Sequence, residues 1–280
     1  MKLLYSIPLE EHEQPFSSPS YSYAGVLCVY DGQIIYCRQT YMENQPHLKE
    51  YVFTREGQLL GSSLYPLPRP TELNYRWRYY ASSTFSCIAI GQEWRFDLTT
   101  KTFSPMSDPL RATYIHDIHA DEPYLYSNHI FLLPPYEIAH KGEFSYVCSR
   151  EGHPVWTFRT RGYLYTDIVQ YDDAVVFGTA GMGGHFIALR LSDGAPLFDV
   201  NTKGTSHYVH REGTFYTYAG GSNGLLAVGL HGTSETLPLP GVTDDMCPLY
   251  LDDHRVLCLS CSKKGDRYTT VYLNAVELDE

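Results

Sequence analysis

Short apolar runs separated by polar turn residues repeat along the whole chain. Val26-Leu27-Cys28-Val29-Tyr30 leads through Asp31-Gly32 into Gln33-Ile34-Ile35-Tyr36-Cys37. Asp167-Ile168-Val169-Gln170-Tyr171 leads through Asp172-Asp173 into Ala174-Val175-Val176-Phe177. His207-Tyr208-Val209-His210-Arg211 leads through Glu212-Gly213 into Thr214-Phe215-Tyr216-Thr217, and Pro248-Leu249-Tyr250-Leu251 through Asp252-Asp253-His254 into Arg255-Val256-Leu257-Cys258. Short runs rich in β-branched and aromatic residues, joined by turn residues, predict antiparallel hairpins. No segment holds a 3.6-residue apolar period long enough for a sizeable helix. Residues 9–22 and 63–74 are rich in Pro, Ser and Glu and read as loops, and 39–48, 134–144, 179–185 and 218–225 read as loops between second and third strands.

The hairpins recur. Asp173, Gly213 and Asp253 stand forty residues apart, and a fixed period near forty that carries strands points to propeller blades or a solenoid. A second register agrees. Arg150-Glu151-Gly152-His153-Pro154-Val155-Trp156 resembles Ser192-Asp193-Gly194-Ala195-Pro196-Leu197-Phe198, with weaker copies at 54–60 and 98–103. Each copy is a turn from a third strand to an outer fourth strand. Inner hairpins starting near residues 25, 77, 123, 167, 207 and 248 give a single six-bladed β-propeller domain over residues 1–280. Five or seven blades are the alternatives. The last blade lacks an outer strand after the run from Tyr268 to Leu278. Lys2-Leu3-Leu4-Tyr5-Ser6-Ile7 is expected to complete it and close the ring.

Composition narrows the partners. The chain has 280 residues, of which 19% are charged and 14% aromatic, with 25 Tyr. Disorder, collagen and coiled coil are excluded. A chain of this size buries roughly 75% of its unfolded surface, so a core needs no disulfide or metal. With 21 Lys and Arg against 32 Asp and Glu the net charge is −11, which opposes nucleic-acid binding. Seven scattered Cys suit buried thiols in a reducing compartment. No apolar stretch is long enough to span a membrane. Met1 to Tyr5 is followed by Pro8, Glu10 and Glu11 instead of a signal-peptide core, so a cytoplasmic, monomeric protein is expected.

Gly184-His185-Phe186-Ile187-Ala188-Leu189-Arg190-Leu191-Ser192-Asp193-Gly194-Ala195-Pro196-Leu197-Phe198 resembles the quinoprotein-like (PQQ-like) β-propeller repeat, of the form Gly-x-aromatic-x-Ala-Leu-Asp-x-x-Thr-Gly-x-x-x-Trp. Gly152 and Trp156 keep part of it one repeat earlier. The resemblance implies a propeller. It does not imply pyrroloquinoline quinone, because the vicinal Cys pair and acidic metal ligands of the quinone enzymes are missing. No cofactor is expected.

Candidate chemistry lies in the loops between blades, where function concentrates on rigid scaffolds. His116-Asp117-Ile118-His119 places two His three apart beside carboxylates. That pattern suits a divalent metal held by His116 and His119, or a general acid/base pair. Asp167, His207, Tyr165 and Arg161 are the residues that would complete a catalytic site from other blades. Tyr75-Arg76-Trp77-Arg78 interleaves aromatics with cations, and Tyr163 and Arg159 lie in another loop of the same face. Together they suit an acidic peptide, an acidic carbohydrate or a protein partner. Gly220-Gly221-Ser222-Asn223-Gly224 matches a nucleophile elbow in letters, but the following Leu225 to Gly229 reads as a strand. Cys258 and Cys261 lie three apart on a predicted strand and face opposite ways, which does not suit a shared metal.

The expected function is a non-catalytic scaffold that binds a protein or peptide partner through one face. The first alternative is a sugar-acting enzyme, a polysaccharide lyase or glycoside hydrolase working at the channel mouth. The second is a cytosolic immunity or inhibitor protein.

Overall fold

The computed structural model describes residues 1–9, 25–43, 45–67, 77–81, 84–89, 92–105, 130–141, 144–164, 168–180, 184–202, 208–219, 224–241, 249–264 and 267–279. Among these residues every regular element is a β-strand, and the sheets are antiparallel. The chain opens with β1 (Lys2–Pro8). A first sheet follows as β2 (Gly25–Tyr30), β3 (Gln33–Met42), β4 (Gln45–Phe53) and β5 (Leu59–Pro66). The second is β6 (Trp77–Ala81), β7 (Thr84–Ala89), β8 (Gln92–Asp97) and β9 (Thr102–Pro105), and the third β10 (Ile130–Leu133), β11 (Tyr136–His140), β12 (Ser145–Arg150) and β13 (His153–Arg159). The two-residue β14 (Tyr163–Leu164) pairs with the fourth sheet of β15 (Val169–Tyr171), β16 (Ala174–Ala180), β17 (His185–Arg190) and β18 (Pro196–Asn201). A fifth contains β19 (Tyr208–Arg211), β20 (Thr214–Ala219), β21 (Gly224–Gly229) and β22 (Ser234–Pro238). The sixth contains β23 (Leu249–Asp252), β24 (Arg255–Lys264) and β25 (Arg267–Glu277), with β1 as its outer strand.

The predicted turns are where the chain reverses. Asp31 (φ 48°) with Gly32 (φ 71°) and Glu212 (φ 49°) with Gly213 (φ 78°) take the left-handed conformation of tight hairpin turns. The N-terminal run pairs as expected, with Lys2 opposite Glu277 and Ile7 opposite Leu273. Four expectations are corrected. Residues 63–66 are not a loop: they end the outer strand β5, from Ser63 opposite Glu50 to Pro66 opposite His47. Residues 39–48 are not a loop: Thr40 and Tyr41 favour extended chain, and the ladder continues through Thr40 opposite His47 and Tyr41 opposite Pro46. Residues 134–144 are not one loop either. Pro134-Pro135, joined by a cis peptide bond, makes the inner turn, because proline lacks the donor a ladder needs. Tyr136–His140 is then the second strand, and the described part of this sheet begins at Ile130. Finally, Tyr163 belongs to a short strand opposite Ala180.

The chain divides into two compact units. One comprises Met1–Pro109 with Leu239–Glu280, the other Leu110–Pro238. In the second unit the fourth sheet is covered on both faces. Val175, Phe177, Ile187 and Leu189 pack with Ile138, Tyr146 and Cys148 of the third sheet. Their strand neighbours Val176, Phe186 and Ala188 pack with Phe215, Leu226 and Val228 of the fifth. Alternate residues serve opposite cores, which is why these strands read as continuous apolar runs. In the first unit, Val26, Cys28, Ile35, Cys37 and Leu48 meet Phe96 and Leu98 of the second sheet.

Cys28, Cys37, Cys148, Cys258 and Cys261 are buried in these cores. Burial pushes the Cys28 thiol up to about 12 and the Cys148 thiol to about 11. At mildly alkaline pH, DTNB is expected to react rapidly with no more than two of the seven thiols in native protein and with all seven in guanidinium. Fast reaction of more than two native thiols would contradict the buried placement. Unfolded thiols ionise near pH 9 and the native ones later, so this contribution to stability is complete below pH 9. It is lost as the pH climbs towards the native values.

Candidate partner-binding groove

Of the residues singled out in sequence, His116, Asp117, His119, Asp167, His207, Tyr165, Tyr75 and Arg76 lie outside the described residues, as does Ser222. Trp77 and Arg78 open β6, opposite Cys87 and Ser86. Arg159 ends β13, and Arg161 follows on the surface. The Thr160 hydroxyl donates to the Gly162 carbonyl at 2.7 Å, setting the turn that delivers Tyr163 to its place beside β16. Arg159, Arg161 and Tyr163 therefore gather at one end of the third and fourth sheets.

That end also holds a pair not foreseen from the sequence. His185 Nδ1 is hydrogen-bonded to Asp199 Oδ1, and the His185 amide donates to the Thr179 hydroxyl at 2.9 Å. Ile187 lies opposite Asp199 and Asn201 opposite His185, so the pair is the diagonal contact of an antiparallel ladder. His185 fills an unspecified position of the Gly184 to Phe198 repeat and Asp199 follows its end, so neither stood out. Among the described residues no three His, Cys, Asp or Glu side chains come together to hold a metal. Cys258 and Cys261 sit on an unbulged stretch of β24, and both are buried.

A concave feature lies within the first unit, between the first and sixth sheets. It is a groove of about 560 Å³ lined by Ile7, Pro8, Leu9, Tyr51, Phe53, Leu59, Thr270 and Tyr272. Strand pairing builds it. Ile34, Tyr36 and Arg38 of β3 stand opposite Phe53, Tyr51 and Lys49 of β4 on one face. The Tyr36 and Tyr51 rings stack at 5.9 Å, and Tyr51 and Phe53 at 6.4 Å. Beyond β1 the Leu9 amide donates to the Val271 carbonyl at 2.7 Å, holding Leu9 along the groove.

Charge is sorted across this strand. Glu50 turns to the opposite face, where it is buried, pairs with Lys101 and accepts the Tyr65 hydroxyl at 3.0 Å. Its neighbour Lys49 stays on the groove face, with Nζ 4.9 Å from the Tyr51 ring centre. Arg38, only 6% exposed, donates to the Tyr51 hydroxyl at 3.2 Å, and its guanidinium lies 5.8 Å from the same ring centre. Tyr51 thus carries two cations, a cation–π arrangement strengthened by the dry surroundings. At the rim, Leu59, Leu60 and Leu64 of the outer strand β5 stand exposed.

A charged junction ties the same strands together nearby in the chain. Buried Asp252 accepts from both Arg55 and Arg255. Arg255 also donates to the Arg55 carbonyl at 2.9 Å, and the Tyr5 hydroxyl to the same oxygen at 3.1 Å. These contacts fasten the β4–β5 turn to β1 and β23. None of these groove or junction residues was a sequence candidate, since their meeting depends on register and on contacts 197 to 200 residues apart.

No protein-family profile and no curated protein matches the chain. Solved structures do. BamB from Moraxella catarrhalis is 12% identical, with 91% of this chain and 83% of that one covered and a TM-score of 0.36. A virginiamycin B lyase from Staphylococcus aureus is 8% identical over 95% and 99% of the two chains, with a TM-score of 0.43. A chain of a mitotic checkpoint complex is 10% identical over 95% and 91%, with a TM-score of 0.47.

Proposed function

We propose that the protein is a non-catalytic six-bladed β-propeller that engages a protein or peptide partner through one face. Six antiparallel sheets of the same strand order, recurring at the sequence period, support the propeller reading. So does β1 serving as outer strand of the last sheet. The observation that carries the binding reading is the aromatic groove with three leucines exposed on its rim strand, an apolar surface of the kind interfaces use. The buried thiols support a cytoplasmic setting. Site-specific photo-crosslinking tests the proposal. A crosslinker at Leu60 is expected to capture one partner in the native host, and one at Val155, also exposed but on β13, to capture none. Equal capture at both positions, or none at Leu60, would defeat it.

The His185–Asp199 pair favours a second reading, a sugar-acting enzyme at the end of the fourth sheet. A carboxylate on Nδ1 orients an imidazole for proton transfer. Turnover of an acidic polysaccharide that vanishes in His185→Asn would overturn the non-catalytic part of the first reading, and loss of the Leu60 crosslink as well would replace it with this one.

A further inference from the structure

We infer that the groove takes an extended acidic peptide anchored by large apolar side chains. This rests on the partner-binding reading above and specifies what the partner presents. The eight lining residues include no charged group, and Ile7, Leu9, Tyr51, Phe53 and Tyr272 among them are large and apolar or aromatic. A volume of about 560 Å³ lies within the range of ligand-binding clefts and suits bulky apolar side chains.

Charge selects the rest of the occupant. Lys49 and Arg38 share the face of Tyr51, which itself lines the groove, while the carboxylate of the same strand, Glu50, is turned into the opposite core. The strand alternation therefore leaves the groove face of β4 basic within a chain of net charge −11. An acidic segment is repelled by the molecule as a whole and attracted at this end of the groove, so the charge acts on orientation as well as on affinity.

The rim supplies the backbone. Leu59–Pro66 is an eight-residue strand with no charged side chain, and among the described residues it has no strand on its outer side. Lysines usually protect such an edge; its one irregularity is the register shift at Leu60, and the ladder is regular from Gly61 to Pro66. Here an extended peptide can add to the ladder, with alternate side chains directed to the groove face.

The test uses the full chain and three labelled probes of about ten residues, read by fluorescence anisotropy. In one, Leu and Phe alternate with Glu; in the second, Leu and Phe alternate with Lys; in the third, Ser alternates with Glu. Only the first is expected to bind, more weakly as salt rises. Leu59→Asp and Lys49→Glu are each expected to weaken it by about tenfold or more, as losses of a buried anchor and of a close charge contact do. Unchanged circular dichroism shows that the variants fold, and the salt dependence of wild-type protein gives a second reading that needs no variant. Equal binding of the Lys probe, or no effect of salt, overturns the acidic specificity. If no probe binds while the Leu60 crosslink still captures a partner, this inference fails and the scaffold reading stands. If both are lost, both fail.

Discussion

Phe215→Ala is expected to destabilise the second unit by about 3–5 kcal/mol, the range for removing a buried aromatic ring. Phe215 is 1% exposed and touches five rings. Tyr171 and His210 lie at 5.8 Å between ring centres, Phe186 at 5.9 Å, and Phe198 and Tyr208 at 6.1 Å. The ring joins the fourth and fifth sheets, so its loss leaves a cavity that neither sheet can fill by moving alone. Urea unfolding followed at Trp156, which lies in the same unit, is the measurement. Phe215→Leu keeps most of the volume and should cost under about 1.5 kcal/mol. An alanine variant no worse than the leucine variant would show that the two sheets do not share this core.

Gly241→Val is expected to be comparably severe for the first unit, again at about 3–5 kcal/mol, from left-handed backbone strain and from overpacking. Gly241 has φ 84°, and a Cβ there would lie 2.4 Å from the Cys261 carbonyl oxygen and 2.6 Å from its carbon. Both are backbone atoms of a central strand, and no side-chain rotation relieves the clash. Gly32 is the control. Its φ is 71°, but a Cβ there meets nothing within 4 Å. Gly32→Ala should therefore cost only the strain, about 1–2 kcal/mol. Gly241→Ala should exceed it by the steric part. Equal losses in the two alanine variants would mean that β24 does not pass against Gly241.

What the chain alone disclosed was local. The hairpins at Val26–Cys37 and at Tyr208–Thr217 were legible because β-forming runs flank residues that accept positive φ. The outer strand at Lys2–Pro8 was legible because the sixth repeat lacked one. The ladder through Thr40 and Tyr41 was harder to see, since polar residues such as Gln39 and Gln45 look like a loop when their cross-strand partners are unknown. The groove was hidden for the same reason. Tyr36 and Arg38 are ordinary strand residues until register sets them against Tyr51 and Lys49, and Arg55 has no reason to matter until Asp252 arrives from the far end of the chain. Of the local polar motifs that did stand out, the one around His116 lies outside the described residues, as do Tyr75 and Arg76.

The pairing of β1 with β25 also orders events in time. The second unit is one continuous stretch of chain, and each of its sheets can pair soon after its strands leave the ribosome. The first unit is completed only at the end, because it draws on both Met1–Pro109 and Leu239–Glu280 and its β1 pairs with β25. Lys2 must wait for Glu277, and the Met1 amino group for Asp279, 278 residues away. The entropy of closing so long a loop grows only slowly with its length, so the delay costs little at equilibrium. Its weight is kinetic. Through most of synthesis β1 is an unpaired strand, open to any passing edge. A substitution that weakens this ladder should act chiefly on newly made chains, lowering the yield of folded protein more than the stability of protein already folded.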